Sequence, residues 1–242
     1  MKIFDFLSPD QREIQEMLSK VLPDNMSHLE MLDIASGTGE HLRIYLEKKI
    51  SHLTVIDNSK ESLDILKKKF RKDIDKFEIV VGDIFAEEIR KKFDLVNIGD
   101  NSLQMFNTFK EQYDVIRLIS RSLKKNGVAV VNITPITEND ILKYGDGYQP
   151  LDVECDPVTE QMHVKVKVDI FNQEIVYYFK DADTERKLKS RILLQRELED
   201  MIDCAGMYIW KTFCVKSRMG KDTYFYFFKL KNQDVAIGET VC

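Results

Sequence analysis

The chain has 242 residues, 43% hydrophobic and 32% charged, a globular balance rather than a disordered or membrane-embedded one. Lys and Arg number 36 against 41 Asp and Glu, a net charge of −5, which argues against a general nucleic-acid binder with its basic excess. No apolar run approaches the roughly 20 residues of a membrane helix, and Cys155, Cys204, Cys214 and Cys242 form no CxxC pair.

Charge enters too early in the segment beginning Met1-Lys2-Ile3 for a secretory leader, so the cysteines are read as reduced thiols in a cytoplasmic protein. Four histidines in no metal-binding pattern give no expected metal site.

Ser8-Pro9-Asp10-Gln11 reads as an N-cap, a first-turn proline and a capping-box partner. The helix it opens has Ile14, Met17, Leu18 and Val21 on one face and ends at Pro23. Met31–Ala35 is then a short strand running into Ser36-Gly37-Thr38-Gly39, with a helix behind it carrying Leu42, Tyr45 and Leu46.

The alternation repeats. Strands are predicted at Leu53–Ile56, Phe77–Val81, Phe93–Ile98 and Val128–Ile133. Between them lie a helix capped at Asn58-Ser59 and one opened by the capping box Thr108–Glu111 and stopped by Asn126-Gly127. Strand alternating with helix over a hundred residues predicts a parallel sheet covered on both faces.

After Pro135 the pattern changes. Residues 136–160 read as a long loop containing Tyr144 and Tyr148. His163–Phe171 then alternates strictly, with Val164, Val166, Val168 and Ile170 opposite Lys165, Lys167 and Asp169. Strands at Glu174–Phe179 and Lys187–Leu194 complete an antiparallel meander. A helix at Arg196–Cys204 and a hairpin of Tyr208–Val215 with Asp222–Leu230 close the chain.

Gly37 and Gly39 sit where the first strand meets its helix, so the backbone can turn tightly and a ligand can approach it. The loop is a poor nicotinamide fingerprint, because Leu42 stands at the third glycine position. Asp33 lies inside the first strand, Asp57 closes the second and Asp83 follows the third. Asp57 stands where a carboxylate can accept both ribose hydroxyls, and Asp83 where one can meet an adenine amino group. Acids at three strand ends and no base in the glycine loop suit a cationic nucleoside, not a pyrophosphate. Asp33 either touches the ligand or orients the loop through backbone amides.

These segments resemble the class I S-adenosylmethionine-dependent methyltransferases. The resemblance is carried by Leu32-Asp33-Ile34-Ala35-Ser36-Gly37-Thr38-Gly39-Glu40-His41-Leu42, Val55-Ile56-Asp57-Asn58-Ser59 and Gly82-Asp83-Ile84. It continues through Phe93–Val96 and Leu123–Val128. It implies an α/β fold with a Rossmann-like, doubly wound seven-stranded sheet and a closing antiparallel hairpin, plus an inserted three-stranded antiparallel sheet. The implied organisation is a helical cap at 1–28, a cofactor-binding core at 29–135 and 195–231, and an insert at 136–194 serving as acceptor lid or dimer contact.

S-adenosyl-L-methionine is the implied cofactor, held by Asp33, Ala35, Ser36, Gly37, Gly39, Asp57, Asn58, Asp83, Ile84 and Gly99. Gly99-Asp100-Asn101-Ser102-Leu103-Gln104 and the inserted sheet resemble the glycine and amino-sugar N-methyltransferase branch. That likeness implies a small-molecule acceptor methylated at an amine nitrogen and oriented by Asp100 and Asn101. Gln104, Tyr144 and Tyr148 are the candidate acceptor-binding residues. Alternatives are a peptide or RNA acceptor and a non-catalytic binding subunit. His41 is read as a packing or surface residue, and a homodimer is compatible with the insert.

Overall fold

The computed structural model describes residues 11–87, 89–137, 148–155, 158–180, 185–216 and 222–231. The main sheet has seven strands. β1 (Glu30–Ile34), β2 (His52–Asp57), β3 (Phe77–Val81), β4 (Phe93–Ile98) and β5 (Leu123–Ile133) run parallel. β10 (Met207–Lys216) and β11 (Asp222–Leu230) form the antiparallel hairpin, and the spatial order is β10-β11-β5-β4-β1-β2-β3.

Strand alternation sorts the apolar side chains onto two faces. Leu32, Ile34, Val96, Ile98, Ala129 and Val131 face one way, against α5 (Phe109–Ser122), which follows the short α4 (Ser102–Met105), and α6 (Gln195–Cys204). Met31, Leu53, Val55, Leu95 and Val130 face the other, against α1 (Gln11–Ser19), α2 (Leu42–Glu47) and α3 (Lys60–Lys69). The helices present matching stripes: Ile14, Met17 and Leu18 on α1, and Val115, Ile116, Leu118 and Ile119 on α5. Two layers of helix around one sheet bury both faces, as the sequence alternation predicts.

Caps fall where the side chains can make them. The Ser59 hydroxyl accepts from the Ser62 amide, and Thr108 with Glu111 forms the expected capping box. The proposed cap at Ser8 lies outside the described residues. α5 ends at Ser122, before Asn126-Gly127, and β5 begins at once. Its register against β4 jumps from Leu123 to Val128 while β4 advances only from Phe93 to Leu95. The extra residues bulge, and Lys124 anchors them through Asp94 at 2.8 Å and Glu30 at 3.3 Å.

The inserted sheet has the three expected strands and a fourth, in the order β6-β7-β8-β9. These are β6 (Tyr148–Cys155), β7 (Val158–Asp169), β8 (Glu174–Lys180) and β9 (Glu185–Arg191). β6 occupies part of the stretch read as loop, where Pro150 argues against a strand. An edge strand tolerates a proline because only one side needs pairing, and Pro150 lies opposite His163 in that edge pair. Strand order in the main sheet reverses between β1 and β4, which opens a crevice beyond their carboxyl ends.

Candidate active site

Residues 35–39 leave β1 into that crevice. Gly37 and Gly39 have φ of +55° and +70°. A Cβ on Gly39 would stand 2.9 Å from both Leu42 and Phe70, whereas one on Gly37 would meet open space. The second glycine therefore lets α2 and α3 close beneath the loop. Ala35 shares the left-handed conformation at φ +53°, which costs an L-residue roughly 1–2 kcal/mol.

Asp57 organises the neighbouring strand ends. One carboxylate oxygen accepts from the Gly37 amide at 2.7 Å and the other from the Ser59 amide at 2.8 Å. Its backbone carbonyl receives the Gly82 amide at 3.1 Å. Each oxygen retains a lone pair for a ligand hydroxyl. Asp83, exposed, accepts from the Phe85 amide at 3.0 Å.

Asp33 is placed differently from the loop residues. It is buried beneath them and accepts from Asn97 Nδ2 at 2.6 Å, across the β1–β4 pair. Burial raises its pKa to about 7, with Asp100 and Asp57 adding to the rise and Asn97 and His41 opposing it.

Asp100 and Asn101, at φ +53° and +57°, are consecutive non-glycine residues in the left-handed region. Such strain persists only where the surroundings hold it. They do so by separating the two side chains. Asn101, buried, accepts from Asn132 Nδ2 at 3.2 Å and from the Thr134 hydroxyl at 3.1 Å. Gln104 brackets Thr134, accepting from its amide at 3.1 Å and donating to its carbonyl at 3.3 Å. Asp100 turns instead to His41, whose Nε2 lies 2.6 Å from Asp100 Oδ1. Burial disfavours the charged imidazole, but the Asp100 carboxylate outweighs it and the His41 pKa is raised. His41 Nδ1 is buried without a hydrogen-bond partner.

A cavity of about 700 Å³ joins these parts, within the roughly 300–1,000 Å³ typical of small-molecule sites. Its described lining includes Ala35, Ser36, Gly37, Asp57, Asn58, Asp83, Ile84 and Asp100 of the expected residues. Asp33, Gly39 and Gly99 lie behind the lining. Gly99 packs at His41, where an added Cβ would come within 3.4 Å of the imidazole. Asn101 and Gln104 line a separate small recess under the inserted sheet, beside Ile175, Tyr177 and Ser190. Tyr144 lies outside the described residues. Tyr148 sits on β6, and its side chain is likewise not described.

The structure adds residues that sequence spacing did not single out. Phe85 and Phe106 meet edge to face across the cavity, with centroids 5.5 Å apart. His41, read from the sequence as a packing or surface residue, is buried and is the partner of Asp100, a pairing across 59 positions that no local pattern announces. Arg186 reaches the cavity from β9. Among the described residues no cluster of His, Cys, Asp and Glu could hold a metal, and no helix is long and apolar enough to cross a membrane.

Residues 31–127 match the family model described as a methyltransferase domain. A Cypemycin N-terminal methyltransferase from Streptomyces sp is 32% identical over 108 residues, 45% of this chain and 43% of that protein. The chain thus spans less than half the length of that curated relative.

Among solved structures, an S-adenosylmethionine-dependent methyltransferase from Clostridium acetobutylicum superposes with a TM-score of 0.69 at 19% identity, covering 92% of this chain and 91% of its own. A sugar N-methyltransferase from Streptoalloteichus sp gives 0.64 at 16% identity, covering 94% and 88%. Residues 31–127 thus match a methyltransferase domain, and the chain as a whole shares the α/β fold of these solved methyltransferases.

Proposed function

We propose that the protein transfers a methyl group from S-adenosyl-L-methionine to the amine nitrogen of a small molecule. The observation that carries this reading is the continuity of the cavity of about 700 Å³. It joins a glycine loop and strand-end carboxylates on one side to Asp100 and the inserted sheet on the other.

The residues fit the cofactor. The open space at Gly37 lets a ligand lie against the backbone, Asp57 has lone pairs free for ribose hydroxyls, and Asp83 and Ile84 line the cavity where an adenine can be received. Five lining carboxylates, Glu40, Asp57, Asp83, Asp100 and Glu111, suit a cationic group. When bound, S-adenosylmethionine supplies an electrophilic methyl carbon on a sulfonium. The protein contributes alignment and exclusion of water, together worth up to about 7–11 kcal/mol.

An amine acceptor must present a neutral nitrogen lone pair, and its proton needs a receiver. Asp100 lines the cavity and can orient the amine. His41 behind it fixes the carboxylate, and the pairing favours the protonated imidazole. Asn101 and Gln104 shape the loop that aims Asp100.

Asp57→Ala tests the cofactor half. Loss of its charged hydrogen bonds should weaken S-adenosylhomocysteine binding about ten- to a hundredfold in calorimetry. An unchanged dissociation constant would overturn the assignment. A polypeptide amine is the second reading, favoured by the likeness to a protein named as an N-terminal methyltransferase. Methyl-labelled cofactor incubated with a lysate of the source, then separated by size, distinguishes them: label in the small-molecule fraction supports the first and label in polypeptide the second.

A further inference from the structure

Cross-strand pairing arranges the inner face of the inserted sheet in three rows. Val166, Tyr177 and Leu188 form one, and Val168, Ile175 and Ser190 another. The third runs Val164, Phe179, Arg186. Val164, Val166, Ile175 and Phe179 are buried in one apolar cluster, with Val168, Tyr177 and Leu188 packed on it.

The opposite face carries the expected charge. Lys167 and Lys187 lie over the Tyr178 ring there, at 5.7 and 5.9 Å from its centroid. Strand alternation places Arg186 on the inner face, where it is the one charged side chain in the three rows. Burying a charge on an apolar face is costly unless it finds a counter-ion.

Arg186 is exposed to the main cavity rather than to the apolar cluster. It is the only basic side chain in the cavity's described lining. Among the described residues it forms no ion pair, even with five carboxylates in the same lining. Arg191, five residues along β9 and of the opposite alternation, shows the contrast. It is 6% exposed and satisfied by Gln112 at 2.8 Å, Gln173 at 2.5 Å and Glu197 at 2.8 Å. The first arginine is left with a fork of donors directed at the cavity, and the second is consumed by structure.

Resting on the methyltransferase reading above, we propose that Arg186 receives an anionic group on the acceptor, a carboxylate or a phosphate. The substrate is then an amino acid or an amino phosphate rather than a simple amine. A planar guanidinium binds either group through two parallel hydrogen bonds, which orients as well as attracts. With Asp100 facing the amine and Arg186 the acid, the two ends of the acceptor are told apart by charge.

The test uses wild-type protein, Arg186→Gln and Arg186→Lys with methyl-labelled S-adenosylmethionine and a small-molecule extract of the source. Products are resolved by anion exchange at alkaline pH, where an uncharged amine no longer masks the acid. A phosphatase-treated portion separates phosphate from carboxylate. Label should be retained on the exchanger. Arg186→Gln should lower its yield at limiting extract by about tenfold or more, with S-adenosylhomocysteine affinity within about twofold of wild type and Arg186→Lys intermediate.

Labelled product that passes through unretained overturns the proposal while leaving methylation of a small amine standing. Arg186→Gln that weakens S-adenosylhomocysteine as much as it lowers yield also overturns it, since the partner is then the cofactor's own carboxylate. Label confined to polypeptide or RNA defeats the small-molecule reading beneath it, and this proposal with it.

Discussion

The two sheets bury their residues by opposite rules. Strands β1, β4 and β5 of the main sheet are apolar on both faces, because helices cover both. The inserted sheet is apolar on one face and lysine-rich on the other, because only its inner face meets the core. In the first case a polar residue is conspicuous anywhere in a strand, and Asp33 and Asn97 duly find each other. In the second, polarity alone says nothing, and only the face on which Arg186 falls makes it informative.

The joint between the sheets is the most sensitive test of this contrast. Arg191, on β9, ties the insert to α5 through Gln112 and to α6 through Glu197. Gln112 in turn donates to the Leu103 and Phe106 carbonyls of the cavity loop. Arg191→Ala should cost about 3–5 kcal/mol by leaving the buried Gln112 oxygen unpaired and the half-buried Glu197 without its counter-ion, measured by urea unfolding. A loss under about 1 kcal/mol would mean that apolar contacts alone hold the insert.

The glycine loop offers a smaller, internally controlled effect. Gly39→Ala combines a left-handed backbone with close contacts to Leu42 and Phe70, and should cost about 2–4 kcal/mol. Gly37→Ala meets open space and should cost about 1–2 kcal/mol from the backbone alone. Equal losses in thermal unfolding would show that packing of α2 and α3 under the loop is unimportant.

A further effect is one of pH. Asp33 titrates at about 7 in the folded chain, raised by burial and by Asp100 and Asp57 against Asn97 and His41. The native state therefore binds this proton more tightly than the unfolded chain. Its stabilising contribution is complete below the unfolded value of about 4 and is lost as pH rises to about 7. Asp33→Asn keeps an acceptor for Asn97 and removes the proton. The wild-type minus variant difference in unfolding free energy should fall across that window. A difference independent of pH would show that Asp33 is ionised throughout.

Helix caps, the parallel alternation and the glycine loop were legible because each is a local device. Ser59 and Thr108 reach amides three residues away, and Gly37 and Gly39 stand beside the turn they permit. The edge strand β6 was not legible, since proline and glycine content cannot reveal that one side of a strand goes unpaired.

Local chemistry thus determined, from the sequence alone, a parallel sheet covered on both faces, with a glycine loop and carboxylates at its strand ends. Hydrophobic period and capping act over a few residues, so they can be read along the chain. Tertiary structure alone decided how the polar side chains divide. It sent Asn101 and Gln104 into a supporting network with Thr134, and Asp100 to His41 at the cavity. It also set Arg186 over the cavity and spent Arg191 on holding the sheets together. Those outcomes depend chiefly on contacts between residues 30 to 79 positions apart, whose geometry exists only once the two sheets have packed.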